Sequence, residues 1–339
     1  MNSIKSTETE KHNQVKTRRS TRLRIKEASH INSLDDLIKI GQNIKCHKSI
    51  DTVLLWKLTP YLEELNNLVG MTSLKESVFY QILYYLQGMH IKNNTEEYLH
   101  TILLGDPGMG KTTVAIIISK IYQTMGILSK NGPFRIAHRD DFIAGYLGQT
   151  AIKTTKLLNS CLGGVLFIDE VYALGSGQED KDSFSKEAID TLCSFLSEHP
   201  NDFCCIAAGY EKDIDKCFFA VNSGLESRFQ WKHYIETYTP TELTEIFIIK
   251  VKIIDWILGV DKNIIIDIIS KSKHVFKNGG RDIVNFVSKC KMAHSRRVIN
   301  IEPEYKFILT REDLENGLEL MKKNIKKDEI KSLPYGMYI

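Results

Sequence analysis

The chain has 339 residues, 42% of them hydrophobic and 26% charged, with a net charge of +3. That composition excludes collagen-like, disulfide-scaffold and wholly disordered chains, and at about 150 residues per domain it predicts two compact units or one large unit with a satellite. No apolar run reaches the roughly 18–20 residues of a membrane span; the richest, Ile246 to Val260, is interrupted by Lys250, Lys252 and Asp255.

Residues 1–30 carry eight Lys/Arg and three Asp/Glu, a net of +5, so the remainder of the chain sums to −2. The cluster Lys16, Arg18, Arg19, Arg22, Arg24, Lys26 is interleaved with Ser and Thr and has almost no apolar content. Such a segment cannot bury enough surface to offset its ordering entropy. A disordered basic arm is predicted over 1–32, either a solvated tail or an arm for nucleic acid, nuclear import or an acidic partner. Glu8 and Glu10 in a polar start predict no secretory signal. Seven scattered cysteines without a C-x-x-C pair predict a reducing, intracellular compartment, with Cys204 and Cys205 as buried inert thiols.

A helical lead-in is predicted over 33–65. Ser33 is an N-cap for Leu34, Leu37 and Ile38, and Leu54 to Leu68 reads helical with a break near Pro60. Met71 to Met89 is a further helix candidate. Then the pattern changes. Thr101 to Leu104, Phe134 to Ala137, Val165 to Ile168 and Phe203 to Ala208 are short apolar runs, as for strands covered on both faces. Helical stretches such as Thr113 to Tyr122 separate them, which predicts a parallel sheet flanked by helices over 66–238. Thr239-Pro240-Thr241-Glu242 opens a helix, and the chain reads helical from there to about Lys323. A small all-helical domain is therefore predicted over 239–323, with a tail over 324–339.

Between the first strand and its helix lies Gly105-Asp106-Pro107-Gly108-Met109-Gly110-Lys111-Thr112, the pattern G-x-x-x-x-G-K-T in its required context. Glycines allow a loop whose backbone N–H groups converge on phosphate oxygens, and the helix opened by Thr112 and Thr113 aims its positive end at the same point. Lys111 can reach the β- and γ-phosphates, and the Thr112 hydroxyl can ligate Mg²⁺. Val165 to Ile168 then delivers Asp169 and Glu170 at a strand's C-terminal end, where open α/β sheets bind ligands. Asp169 is the expected Mg²⁺ partner and Glu170 the expected base for the attacking water. The guanine-reading N/T-K-x-D sequence is absent, and the Asp-Glu pair favours ATP.

From about Leu65 to Lys323 the chain resembles an AAA+ ATPase of the CbbX/CfxQ/SpoVK type. The resemblance is carried by Leu68-Val69-Gly70-Met71, the glycine loop, Gly145-Tyr146-Leu147-Gly148-Gln149-Thr150-Ala151, Val165 to Leu174, Ala208-Gly209-Tyr210 and Asn222 to Phe229. The Ile/Lys/Asn-rich texture and Leu99-His100-Thr101 resemble copies encoded by giant DNA viruses, for which the compartment would be a host cytoplasm, nucleus or virus factory. The resemblance implies a P-loop NTPase fold with a helical lid, ATP and Mg²⁺ as cofactors, and a homo-oligomeric ring, a hexamer in this class. It implies that Val69 and Gly70 pack against adenine. It implies that Arg228 is an arginine finger acting on a neighbouring subunit, an effect of roughly 10³–10⁵ in other P-loop enzymes. Arg281, in Gly-Gly-Arg-Asp, matches the arginine that ties the lid to the phosphates. Tyr210 falls where many relatives place an Asn, Ser or Thr, which leaves a water-positioning role for its hydroxyl open. Tyr146-Leu147-Gly148 matches a pore loop, whose rings of tyrosines grip an extended polypeptide without sequence specificity. A protein-remodelling motor follows. A nucleic-acid motor or loader using the basic arm and a Rubisco-activating task are the alternatives.

Overall fold

The computed structural model describes residues 31–43, 50–89, 98–128, 132–146, 148–175, 183–299 and 306–331. The basic arm expected over 1–32 lies outside the described residues apart from Ile31 and Asn32, as do Leu147 of the pore loop and residues 332–339.

Three helices precede the sheet: α1 (Leu34–Asn43), α2 (Thr52–Asn66) and α3 (Thr72–Leu86). Ser33 caps α1, its Oγ accepting from the Asp36 N–H at 3.3 Å. The Asp51 carboxylate caps α2 through Val53 N and Leu54 N. The break expected near Pro60 does not occur, and α2 runs through it. Proline withholds only the N–H that would bond the carbonyl four residues back. Here that is the carbonyl of Trp56, a residue on the exposed face of the helix.

The sheet follows in alternation: β1 (Thr101–Leu104), α4 (Lys111–Met125), β2 (Phe134–Ala137), α5 (Arg139–Phe142), α6 (Thr150–Asn159), β3 (Val165–Ile168), α7 (Ser183–Glu198), β4 (Cys204–Gly209), α8 (Glu211–Ile214), α9 (Gly224–Arg228) and β5 (Trp231–Tyr234). The strand order is β2-β3-β4-β1-β5 and every pairing is parallel. The four apolar runs are strands, as expected, but only β1, β3 and β4 are covered on both faces; β2 is an edge strand with Arg135 and Ile136 exposed. The fifth strand, β5, escapes an apolar-run criterion because Trp231-Lys232-His233-Tyr234 lies at the sheet edge and alternates exposed with covered positions.

Strand residues alternate between two cores. Leu103, Val165, Phe167, Cys204 and Ile206 face α1–α4, while Ile102, Leu104, Leu166, Ile168 and Cys205 face α5–α9. Burying each such side chain is worth about 1.5–3 kcal/mol. The lead-in helices thus share the core of the sheet through Leu37, Leu55, Leu58 and Leu62.

After Tyr238 the chain forms α10 (Pro240–Ile253), β6 (Ile257–Leu258), α11 (Lys262–Lys271), α12 (Gly279–Arg297), β7 (Ile308–Leu309) and α13 (Arg311–Lys331) around a third core. Thr239 and Glu242 form the capping box of α10. The lid is helical except for the parallel β6–β7 pairing, two residues per strand and too short for a periodicity signal. Helix α13 continues past 323 to Lys331. Among the described residues no helix is long and apolar enough to cross a membrane.

Two histidines are buried in the sheet. His100 leads into β1 and His233 lies in β5. Burial holds both imidazoles down at about 4. The unfolded chain titrates near 6.5, so it binds more protons than the folded chain between those values. Their contribution to stability is whole above pH 6.5 and is lost as pH falls toward 4. Urea unfolding should show a loss of about 2 kcal/mol per histidine between pH 7 and 5, and His233→Gln should remove one share. A pH-independent midpoint over that range would contradict this.

Candidate active site

The site lies at the C-terminal end of the parallel sheet. β1 runs into Gly105, and the loop reaches α4 through Gly108 (φ 74°) and Gly110 (φ 90°), both in the left-handed region that favours glycine. No side chain caps α4. The first intrahelical bond, Val114 N to Gly110 O, leaves the N–H groups of Lys111, Thr112 and Thr113 before it, at the positive end of the helix. Lys111 Nζ donates to Gly105 O at 2.7 Å and Asp106 O at 2.9 Å. Burial lowers its pKa, and the charges of Asp169, Asp106 and Glu170 oppose that shift. The ammonium's hydrogen bonds go only to neutral carbonyls, so a buried cation is left for an anion, with the nearby carboxylates placed to share a metal ion with it.

Asp169 and Glu170 follow β3. Strand β4 lies between β3 and β1, so the residue after it, Tyr210, stands between the carboxylates and the glycine loop. Lys111 Nζ is 5.8 Å from the Tyr210 ring centroid, and Tyr210 lies 5.9 Å from the Tyr172 ring. Glu170 adopts φ 50°, ψ 49°, a left-handed conformation that costs a non-glycine residue roughly 1–2 kcal/mol. That turn stops the strand and starts a short 3₁₀ turn at Val171. Asp169 Oδ1 accepts from the Glu170 N–H at 3.1 Å. Burial first, then the Glu170 charge, pushes the Tyr172 hydroxyl up to about 12. The residue stays a neutral donor beside Glu170.

The lid closes directly on the loop. The Gly280 N–H donates to Gly108 O at 3.0 Å, and the Tyr238 hydroxyl donates to Met109 O at 3.1 Å. A Cβ on Gly108 would collide with Asn278 O and stand 2.9 Å from Arg281 Cβ. Arg281 is close enough to act electrostatically on Lys111. The Asp282 carboxylate accepts from the Asn278 N–H at 2.7 Å and fixes the start of α12. A cavity of about 510 Å³ opens along this seam, with Met109, Tyr238, Leu243 and Phe276 as apolar lining and Lys273 and Lys277 among its remaining walls. Gly70 adjoins it, since a Cβ there would meet the Glu242 carboxylate and the Tyr238 ring. Val69 precedes Gly70 and is partly buried.

Two predicted residues lie elsewhere. Arg228 precedes β5, whose Trp231 is level with Thr101 at the start of β1. Gly105 is four residues further along, about 13 Å at 3.3 Å per residue. The Arg228 guanidinium donates to Ser197 Oγ and Gly224 O, on the far side of the sheet from its own loop. Tyr146 is 74% exposed, between α5 and α6. Both ends of its loop are tied: the Ala144 N–H donates to Thr150 Oγ1 at 3.2 Å and Lys153 Nζ to Ile143 O at 2.9 Å. Gly148 (φ 75°) has open space around it.

Residues 101–236 match the family described as ATPase family associated with various cellular activities, AAA. A CfxQ-like protein, R730, of Acanthamoeba polyphaga mimivirus is 42% identical over 79% of this chain and 66% of its own length. Residues 101–236 are therefore an AAA-family ATPase domain, and the chain is related to the CfxQ and SpoVK proteins. Stage V sporulation protein K of Bacillus subtilis strain 168 is 40% identical over 54% of this chain and 57% of its own length. The chain therefore spans less than two thirds of these relatives, 66% and 57% of their lengths. The AAA domain of FIGL-1, solved in complex with ADP, shares the fold with a TM-score of 0.56 at 15% identity, over 80% of this chain and 90% of that one. Nucleotide binding belongs to the AAA domain, and the uncapped helix, the ammonium and the seam cavity fit a nucleoside triphosphate. Thr112 and Asp169 are the residues that would hold Mg²⁺, a hard cation suited to oxygen donors.

Tyr172, Tyr238, Asn278 and Gly280 belong to this site without having been singled out in the sequence. Tyr172 lies within the Val165–Leu174 stretch and Tyr238 just before the helix opened by Thr239, but only the tertiary contacts mark them as site residues. Replacing Gly108 with Ala forces a Cβ into the lid at a left-handed φ. A fluorescent ATP analogue should then bind at least about tenfold more weakly, the equivalent of about 1.4 kcal/mol. Unchanged affinity would mean that the lid does not rest on this loop when nucleotide binds.

Proposed function

We propose that this AAA+ ATPase hydrolyses ATP between adjacent copies in a ring and uses the resulting lid motion to pull a polypeptide through a central pore. The observation that carries the motor reading is Tyr146: a large aromatic, 74% exposed, on a loop tied at both ends. A folding role would bury that ring. A gripping role needs it exposed, and apolar grip is indifferent to sequence.

In the nucleotide cycle, Lys111 and the first N–H groups of α4 bind the phosphates, and the seam cavity takes the base beside Val69 and Gly70. Bound Mg²⁺ supplies neutralisation of phosphate charge. Glu170, at the left-handed turn that ends the strand, accepts a proton from the attacking water. The neutral Tyr172 hydroxyl steadies that carboxylate. Tyr210 packs beside the Lys111 ammonium and needs no ionised form. Arg281 brings the lid's charge to the phosphates of its own chain, and Arg228 brings a second to those of a neighbour. The distance of Arg228 from its own loop supports that assignment, and a head-to-tail contact of this kind closes into a ring. Residues 66–238 would be the nucleotide-binding unit and 239–323 the moving lid. Coupling follows from the seam: a change at the phosphates alters the carbonyls that Gly280 and Tyr238 hold, and the lid turns with them.

Adding an unfolded polypeptide to the purified protein should raise ATP turnover, and Tyr146→Ala should cut that stimulation at least fivefold. Stimulation by DNA instead, falling steeply with salt and indifferent to Tyr146→Ala, would favour a nucleic-acid motor.

A further inference from the structure

The far end of the sheet contains a polar seat for Arg228. Arg228 Nε donates to Ser197 Oγ at 2.7 Å, and Nη1 donates to Gly224 O. Ser197 stands in the last turn of α7 and its own hydroxyl donates to Cys193 O at 3.0 Å. A serine hydroxyl has one proton. With that proton committed to Cys193 O, the oxygen presents only lone pairs, and Nε is the donor they receive. Ser197 is thus oriented before the arginine arrives.

The seat is anchored to the sheet. His100 Nδ1 accepts from the Cys205 N–H at 3.2 Å, which leaves the ring proton on Nε2, directed at Leu196 O at 3.4 Å. Leu196 is the residue before Ser197. The Phe229 ring, next to Arg228, lies 6.0 Å from the His100 ring. On the other side, Asn222 Nδ2 donates to Asp190 Oδ1 at 2.8 Å and Asn222 Oδ1 accepts from the Gly224 N–H at 2.9 Å, so α9 is pinned to α7. A cavity of about 510 Å³ adjoins Ser197, Asn222 and Arg228 and leaves the guanidinium with an open side.

We propose that Ser197 is a positioning residue for hydrolysis: it holds Arg228 by Nε, with Nη1 on Gly224 O and Ser227 Oγ, so that Nη2 faces the phosphates of an adjacent copy of this chain. The proposal rests on the reading of Arg228 as the residue donated to that copy. An arginine carries large rotamer freedom, and a charge stabilises a transition state best when fixed beforehand. Ser197 touches no nucleotide. It acts only through Arg228, and only through Nε.

That dependence defines the test, a double-mutant cycle on steady-state ATP turnover of the full chain, with assembly followed by sedimentation. Ser197→Ala should lower kcat about tenfold while KM for ATP stays within twofold, and Ser197→Thr, which keeps the hydroxyl, should recover most of the loss. Arg228→Lys retains a cation but has no Nε. In that background Ser197→Ala should change kcat by less than twofold. Equal losses in both backgrounds, or no rescue by threonine, would make Ser197 a structural residue of α7 and overturn the proposal. A rise in kcat for Ser197→Ala would overturn it too, because the serine would then be restraining the arginine. Failure of the underlying reading looks different: Arg228→Lys alone would turn over as fast as the parent.

Discussion

Parallel pairing of β5 with β1 separates the charges that this chemistry needs. In a parallel sheet every strand ends on the same edge, so the loop after β1, the carboxylates after β3 and Tyr210 after β4 are gathered together by topology. Whatever precedes a strand is sent to the opposite edge. Arg228 precedes β5 and is level with the start of β1, with a guanidinium turned toward α7. One chain therefore assembles the ammonium, the acid pair and the lid arginine, and leaves the remaining cation facing outward. On the proposed reading the missing charge comes from the next copy, and assembly becomes a condition for turnover.

The second constraint is the closeness of lid and loop. Two backbone carbonyls of the phosphate loop, those of Gly108 and Met109, are hydrogen-bonded by the lid and by the hinge tyrosine. Glycine at 108 makes that approach feasible, since a side chain there would meet Asn278 and Arg281. Such a seam has little slack. Close-packed contacts tend to exist in one of a few arrangements and do not deform continuously, so a small change at the phosphates can become a rotation of a whole domain. The same sheet stiffens the other end of the molecule, where His100 ties β4 to the end of α7 and hence to the seat of Arg228.

Much of this was legible in the residues alone. The central strands β1, β3 and β4 announce themselves because burial on both faces demands unbroken apolar runs, and the glycine loop does so because its backbone needs glycine at fixed places. What escaped follows from the same logic. β5 is an edge strand and needs no apolar run, and β6 and β7 are too short for any periodicity. Pro60 lies inside α2 without ending it, and the residue whose carbonyl loses its partner, Trp56, is on the exposed face. Around the site, Tyr238 and Gly280 act on the carbonyls of Met109 and Gly108, far away in the chain, and no local pattern predicts those contacts. Ser197 is harder still: a serine in the last turn of a helix has no signature until the arginine 31 residues later is seen on it.

The central claim is that hydrolysis is completed between copies. Mixing subunits tests it most directly. Arg228→Ala leaves the loop and Glu170 intact, while Glu170→Gln leaves Arg228 intact, so each protein alone should be nearly inactive. In a mixed ring some interfaces pair an unaltered Glu170 site with an unaltered Arg228. ATP turnover of the mixture should rise well above that of either component, to a maximum near equal proportions. A mixture that turns over no faster than the sum of its parts, while sedimentation shows mixed rings, would contradict the account.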